Sequence, residues 1–293
     1  VGGEALVLEK DNKGRNSLHH ACEHYSIDLS VVSFLLEVGG EPLVLEKDAN
    51  GRNSLHVAFD NVGQHYEFNE LIEMLIKVGG EALVLEKYDN GTNCLHIACE
   101  YDDSIDDALL LMDAGGEALV VDTDDKGLNS LHCACNSVVS TGTVMLEQEL
   151  VDHLIQYGGA KILTQTDKTS KTPLHFIIAA DDEQHQRMSQ EDKERFCDAA
   201  VMLIKKGIEL QVGGEYGIGG IFISTSTQEV QDQTYHNWEK FVLPALEQVM
   251  ALSHGQNLPI LQALIINKAP PDVIKSTVNR IAASINTVDS FDR

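Results

Sequence analysis

Asn16-Ser17-Leu18-His19 returns as Asn53-Ser54-Leu55-His56, as Asn93-Cys94-Leu95-His96 and as Asn129-Ser130-Leu131-His132, with a fifth form at Thr172-Pro173-Leu174-His175. In the first four copies a glycine precedes the tetrad and an alanine stands two residues beyond the His. The five leucines are 37, 40, 36 and 43 residues apart. Self-similarity at such a period means that each unit is one supersecondary element, burying its apolar face only against its neighbours. The drift in spacing places loops of varying length around a fixed core.

A second phrase lies between the tetrads. It reads GGEALVLEKD from Gly2 to Asp11, GGEPLVLEKD from Gly39 to Asp48, GGEALVLEKYD from Gly79 to Asp89 and GGEALVVDTD from Gly115 to Asp124. Each unit therefore has a fixed order of finger, helix, loop, helix and Gly-Gly turn. In the first unit Asp11-Asn12-Lys13-Gly14 is turn chemistry, the Asp bonding its own backbone and the Gly free to take positive φ. Asn16 and Ser17 are placed to cap a helix start. Leu18, Ala21 and Cys22 give that helix a small apolar face, and Leu29, Val32, Leu35 and Leu36 make a second stripe at helical spacing. Gly39-Gly40 ends the second helix with a C-cap. The long phrase after it reads as a lengthened turn leading to the next finger.

GxNSLHxAC resembles the GxTPLHxAA signature of ankyrin repeats, and Thr172 to His175 keeps the TPLH form itself. The stripes ending LLEVGG, MLIKVGG and HLIQYGG resemble the outer-helix pattern of that family. The resemblance implies an all-α fold, an ankyrin-repeat solenoid of stacked helix-turn-helix units with finger-like turns. It runs from Val1 to about Gly207, with five repeats at about 11–47, 48–87, 88–123, 124–166 and 167–207. Residues 208–288 read as degenerate helical repeats, one of them carrying Trp238, the single tryptophan. Residues 1–10 match the tail of a repeat, and 289–293 the start of another finger. The segments 181–195 and 224–237 are polar and are expected to be mobile insertions.

Composition narrows the function. With 46 acidic and 21 basic residues the formal charge is -25, which repels a phosphate backbone instead of releasing its counterions. Nucleic acid and anionic membrane are poor partners for such a chain, and no apolar run approaches the ~18 residues of a membrane helix. Acidity either steers a protein partner with a basic patch or only keeps a long array soluble. Aromatics at 5% and only six prolines fit aliphatic helix packing. An intracellular, monomeric protein is expected, with its cysteines reduced.

No catalytic signature is present. The glycines between Gly213 and Gly220 match neither a dinucleotide fingerprint nor a P-loop with its Lys. Asp102-Asp103 and Asp181-Asp182 read as solvated loop carboxylates. Ser17, Ser54 and Ser130 neighbour a His in sequence only. His19-His20-Ala21-Cys22-Glu23-His24 and His132-Cys133-Ala134-Cys135 have zinc-like spacing. The resemblance instead gives each motif His a structural role, orienting the finger by hydrogen bonds, and puts Cys where a small Ala packs. Cys22, Cys94, Cys99, Cys133, Cys135 and Cys197 read as buried thiols.

The resemblance further implies a non-catalytic protein-binding module without cofactor or metal, its partner meeting the fingertips and the inner-helix ends on the concave face. The tips are Asn12, Lys13 and Arg15; Ala49, Asn50 and Arg52; Asp89, Asn90 and Thr92; and Asp125, Lys126 and Leu128. The helix ends are Glu23 and His24, Asp60 and Asn61, Glu100 and Tyr101, and Asn136 and Ser137. These positions vary while the framework holds, as a tailored strip requires and as unconstrained solvent positions also do. A regulatory or targeting segment of a larger enzyme, and a spacer binding nothing, are the other readings. Elemental analysis of chain purified without chelator is expected to show no stoichiometric zinc. One zinc per chain, lost on replacing Cys133 and Cys135, would contradict the structural role given to these residues.

Overall fold

The computed structural model describes residues 3–23, 28–61, 68–100, 105–141, 146–178, 198–204, 206, 207, 210, 275 and 278. The segments 181–195 and 224–237, the degenerate repeats apart from residues 210, 275 and 278, Trp238 and Cys197 lie outside them. Among the described residues there are helices and turns and no strand: α1 (Gly3–Val7), α2 (Ser17–Glu23), α3 (Leu29–Leu45), α4 (Ser54–Asp60), α5 (Phe68–Val84), α6 (Cys94–Glu100), α7 (Ile105–Val120), α8 (Ser130–Thr141), α9 (Gln148–Gly158), α10 (Lys161–Thr164) and α11 (Pro173–Ile178). The chain divides into two compact units, Val1–Ser130 with Gln156–Gly158, and Leu131–Ile155 with Gly159–Arg293.

In the first unit the short helices α2, α4 and α6 pack in one row and α3, α5 and α7 in a second. Each short helix also lies against the long one that follows it. The apolar stripes face between the rows: Leu18, Leu55, Leu95, Val32, Ile72 and Leu111 are all fully buried. In the second unit Leu131, Val151, Leu154, Ile162, Leu163, Leu174 and Ile204 are buried in the same manner. The core is thus a series of aliphatic layers, one per repeat.

The Gly-Gly phrase corrects the sequence reading. Gly40 has φ 55° and ψ -153°, which breaks α3, but helix resumes at once and continues to Leu45. The same break recurs at Gly80 and Gly116. What reads as a lengthened turn is therefore a further helical turn, whose Leu43 and Val44 are fully buried. The two glycines serve different needs. A Cβ on Gly39 would lie 2.6 Å from that of Leu43, so only Gly lets the chain fold back this closely. At Gly40 the positive φ penalises any L side chain.

A salt-bridge ladder runs just beyond these helical turns, after α1, α3, α5 and α7. Lys10 pairs with Glu46 at 3.2 Å, Lys47 with Glu86, and Lys87 with Asp122 at 2.7 Å. Lys10 and Lys87 also donate to backbone carbonyls of the next repeat, at Lys47 and Thr123. Half-exposed pairs of this kind contribute roughly 0–1 kcal/mol each. The buried leucines outweigh them: Leu55→Ala is expected to cost about 2–5 kcal/mol in urea denaturation. A loss under about 1 kcal/mol would show that the layer is not packed as described.

Candidate functional site

The fingers are built by their first residue. Asp11 Oδ1 accepts the backbone N–H groups of Lys13 and Arg15 at 2.8 and 3.0 Å. Asp48, Asp124 and Asp167 repeat this with Asn50 and Arg52, with Lys126 and Leu128, and with Thr169 and Lys171. At Asp11 these bonds, led by that of the Arg15 N–H, stabilise the ionised carboxyl and hold it below the usual carboxylate range. Adjacent fingers are tied together, Ala49 N–H donating to the Lys13 carbonyl at 2.8 Å and Asp125 N–H to that of Asn90 at 3.0 Å. The tips thus form a row.

The tetrad fixes each finger to the helix behind it. Asn53 Oδ1 accepts from His56 N–H, and His56 Nδ1 accepts from Asn53 N–H, a capping box with His in the third helical position. Nδ1 being an acceptor, the ring proton resides on Nε2, which faces the Glu86 carbonyl at 3.1 Å. His19, His96 and His132 aim Nε2 at the carbonyls of Arg52, Leu128 and Lys171, each the last residue of the following finger. This is the structural role the resemblance implies. With both nitrogens of His19, His56 and His96 engaged, none can act as base toward a serine. Ser17 Oγ instead donates to the Val7 carbonyl.

The expected contact residues separate into two groups. Asn12, Lys13, Ala49, Asn50, Asp89, Asn90, Asp125 and Lys126 are exposed, as are Glu23, Asp60 and Glu100. Arg15 and Arg52 are not isolated tips. Arg15 is held by Asp11 at 2.9 Å and by Glu23 at 2.5 Å, and Arg52 by Asp48 at 2.8 Å and by Asp60 at 2.6 Å. Tip and helix end are therefore joined within the repeat. Asn61 is half-buried and closes α4, its side chain donating to the Val57 carbonyl. Leu128 and Thr92 are half-buried. His24 and Tyr101 lie outside the described residues.

Ser137 corrects the expected strip. Helix α8 continues to Thr141, whereas α2, α4 and α6 stop at Glu23, Asp60 and Glu100. Asn136 and Ser137 therefore sit inside a helix, Ser137 fully buried and Asn136 half-buried. Tyr88 is a residue that the sequence reading passes over. It stands where the other fingers carry Asp, packs on His56 with ring centroids 4.1 Å apart at a 52° tilt, and donates its hydroxyl to the His56 carbonyl at 2.9 Å with Asp60 Oδ1 close by at 3.1 Å. Its signal was the break in the EKD phrase at Lys87-Tyr88.

No group of three or more His, Cys, Asp or Glu side chains among the described residues could hold a metal ion. Cys22 and Cys135 are fully buried, and burial pushes the Cys22 thiol up to about 12. Neither is a nucleophile at neutral pH. No described helix is long and apolar enough to cross a membrane.

Two kinds of buried group give stability opposite pH dependences. Burial lowers His19, His56 and His96, His56 to about 4. The neutral rings support the fold fully above about 6.5, and that support is lost as pH falls toward 4, roughly 3 kcal/mol for His56 alone. Asp107 acts the other way. It is buried with Oδ1 unbonded, where the preceding repeat has Leu71, and burial, then Asp106, push it up to about 7. Its ionisation costs stability as pH rises from about 4 through 7. The three histidines outweigh one carboxyl, so urea denaturation is expected to show net loss between pH 6.5 and 4. The loss should flatten in His56→Gln and steepen in Asp107→Asn. An unchanged slope in His56→Gln would contradict the neutral ring.

No protein-family model matches the sequence, and neither does any curated protein. Solved structures do match. An ankyrin repeat domain from Acinetobacter baumannii aligns over 78% of this chain and 96% of its own, with 19% identity and TM-score 0.51. The ankyrin repeat domain of Bcl-3, described as a member of the IkappaB protein family, aligns over 78% of this chain and 85% of its own, with 17% identity and TM-score 0.46. The first of these likenesses, together with the finger, inner helix and outer helix repeated in register, shows that the chain has the ankyrin-repeat fold.

Proposed function

We propose that this chain is a non-catalytic protein-interaction module whose partner docks on the row of fingertips and the adjoining inner-helix ends. The observation that carries the reading is the division of labour within each finger. Asn16, Asn53, Asn93 and Asn129, with their histidines, are buried and the same in the first four copies. The two residues before each finger glycine are exposed and differ: Asn-Lys, Ala-Asn, Asp-Asn and Asp-Lys. A rigid backbone ladder presenting a different pair at each step suits recognition of an extended surface, because little ordering entropy remains to be lost on binding.

A partner with a basic patch is favoured by charge. Arg15 and Arg52 are neutralised within their repeats, which leaves Lys13 and Lys126 as the basic tips of the first four fingers among acidic Asp89, Glu100 and Asp125. Such a surface speeds encounter with a positive partner in a salt-dependent way. No nucleic acid, membrane or cofactor enters this reading.

The test is affinity capture with the whole chain as bait, comparing wild type with Asp89→Lys/Asn90→Ala/Asp125→Lys. These side chains are exposed, so the melting temperature is expected to hold within about 2 °C while capture of the partner falls at least tenfold. A triple variant that captures the same partner equally well, while Glu73→Lys/Asp113→Lys on the outer helices abolishes capture, would place the site on the other face.

A further inference from the structure

Within the first unit the fingers are joined in one way at two junctions and in another at the junction between them. From the first finger to the second, Ala49 N–H donates to the Lys13 carbonyl at 2.8 Å, and from the third to the fourth Asp125 N–H donates to that of Asn90 at 3.0 Å. The equivalent bond from the second to the third would run from Asp89 N–H to the Asn50 carbonyl, and among the described residues no such bond is present. The finger glycines record the same gap. A Cβ on Gly14 or Gly91 would meet the backbone nitrogen of Ala49 or Asp125, at 2.9 and 2.7 Å, whereas the atoms nearest a Cβ on Gly51 are those of the Asp89 carboxylate.

The histidine link differs at the same place. His19 and His96 each reach the last residue of the next finger, Arg52 and Leu128, at 2.9 Å, but His56 faces Glu86 in place of the equivalent Thr92. Tyr88 supplies the tie instead, its ring against that of His56 and its hydroxyl 2.9 Å from the His56 carbonyl. The third finger is also less braced within itself. Asp48 accepts two N–H groups of its own finger, whereas in the third finger the described side-chain bond is the single one from Thr92 N–H to Asn90 Oδ1. Behind the fingers nothing is parted: Leu55, Leu95, Ile72 and Leu111 are fully buried, and α5 packs on both α3 and α7.

We propose that the junction of the second and third fingers is a hinge in the finger row, latched by Tyr88. The backbone bonds on either side hold the first finger to the second and the third to the fourth as two rigid pairs. Between the pairs the phenol replaces the usual bonds, so releasing one hydroxyl lets them part while the aliphatic layers behind stay packed. Such a motion needs only a few loop residues to absorb it, and local opening lies far below the free energy of global unfolding. A partner spanning the row is then met by two pairs whose separation adjusts to it. That use of the hinge rests on the fingertip docking proposed above, whereas the hinge itself is a property of the free chain and is tested there.

The experiment is residue-resolved amide hydrogen exchange on the whole chain without partner, corrected for intrinsic rates. Ala49 and Asp125 are expected to exchange at least tenfold more slowly than Asp89. Tyr88→Phe keeps the ring and removes the hydroxyl, so the turn amides Gly91 and Thr92 should exchange at least threefold faster while Gly51 and Gly127, in the neighbouring fingers, hold their rates. Tyr88→Asp gives the third finger the residue of the others, and the Asp89 amide should then become as slow as those of Ala49 and Asp125. An Asp89 amide already that slow in the wild-type chain would overturn the proposal. So would a Tyr88→Phe effect that is absent or spread equally over all the fingers, and so would an Asp89 amide that stays fast in Tyr88→Asp while the α6 amides remain protected.

Discussion

The neutral imidazole of the tetrad is the interaction on which the rest of the repeat depends. One nitrogen of His19 takes the backbone N–H of Asn16 and the other reaches the Arg52 carbonyl in the next finger. A single buried ring thus closes a helix N-terminus and sets the height at which the following repeat arrives. Buried backbone groups at helix starts are costly when unpaired, so the ring cannot be exchanged for an apolar side chain of similar size. Protonation of the ring is disfavoured, because burial lowers its pKa and a protonated Nδ1 would lose the bond from the Asn16 N–H. Asn follows from the same geometry, its Oδ1 receiving the His19 N–H and its Nδ2 reaching the Leu43 carbonyl.

The far side of each repeat is held by a different balance. There the Gly-Gly break turns the chain so that Leu43 closes against Gly39, and apolar burial carries the energy, while the lysine ladder contributes little to stability. Its value lies in register. Each lysine meets an acid one repeat away, so a slip by one position would set Lys10 or Lys47 against apolar Leu45 or Leu85. The ladder has no rung beyond Asp122 among the described residues, because Thr123 stands where Lys10, Lys47 and Lys87 stand in earlier copies.

The layered core was legible from spacing alone, because the leucines, caps and finger turns are local signals repeated in phase. The short helix after Gly40 was not, since Gly-Gly is a breaker in any local reading and only the burial of Leu43 shows why helix resumes. The fate of Arg15 and Arg52 was equally hidden. Each partner on the inner helix lies eight residues away, across the finger-to-helix corner, a separation that no helical or strand period brings together. Asp107 was missed for a related reason: in sequence it is one of several acidic residues in a polar loop-like run, and its apolar position emerges only by alignment with Leu71. Ser137 was misplaced because the length of α8 departs from that of α2, α4 and α6.

The same substitutions that break the pattern also grade the charge along the finger row. In the first two repeats the framework consumes both an arginine and the acid at the inner-helix end, so Glu23 and Asp60 present little net charge outward. In the third finger Tyr88 and Thr92 replace the Asp and Arg of that pair, and Tyr88 turns inward to His56 and Asp60. Asp89 then lies over Gly51 of the finger before, its Oδ1 2.6 Å from where a Cβ would stand. In the fourth finger Leu128 replaces the arginine while Asp124 and Asp125 remain. Negative potential is therefore least compensated at the third finger, which carries Asp89 and no basic residue, whereas Lys126 offsets one of the two carboxylates of the fourth. A positively charged partner would be drawn first to the third finger, with the neutralised Arg15 and Arg52 corners acting as shape more than as charge.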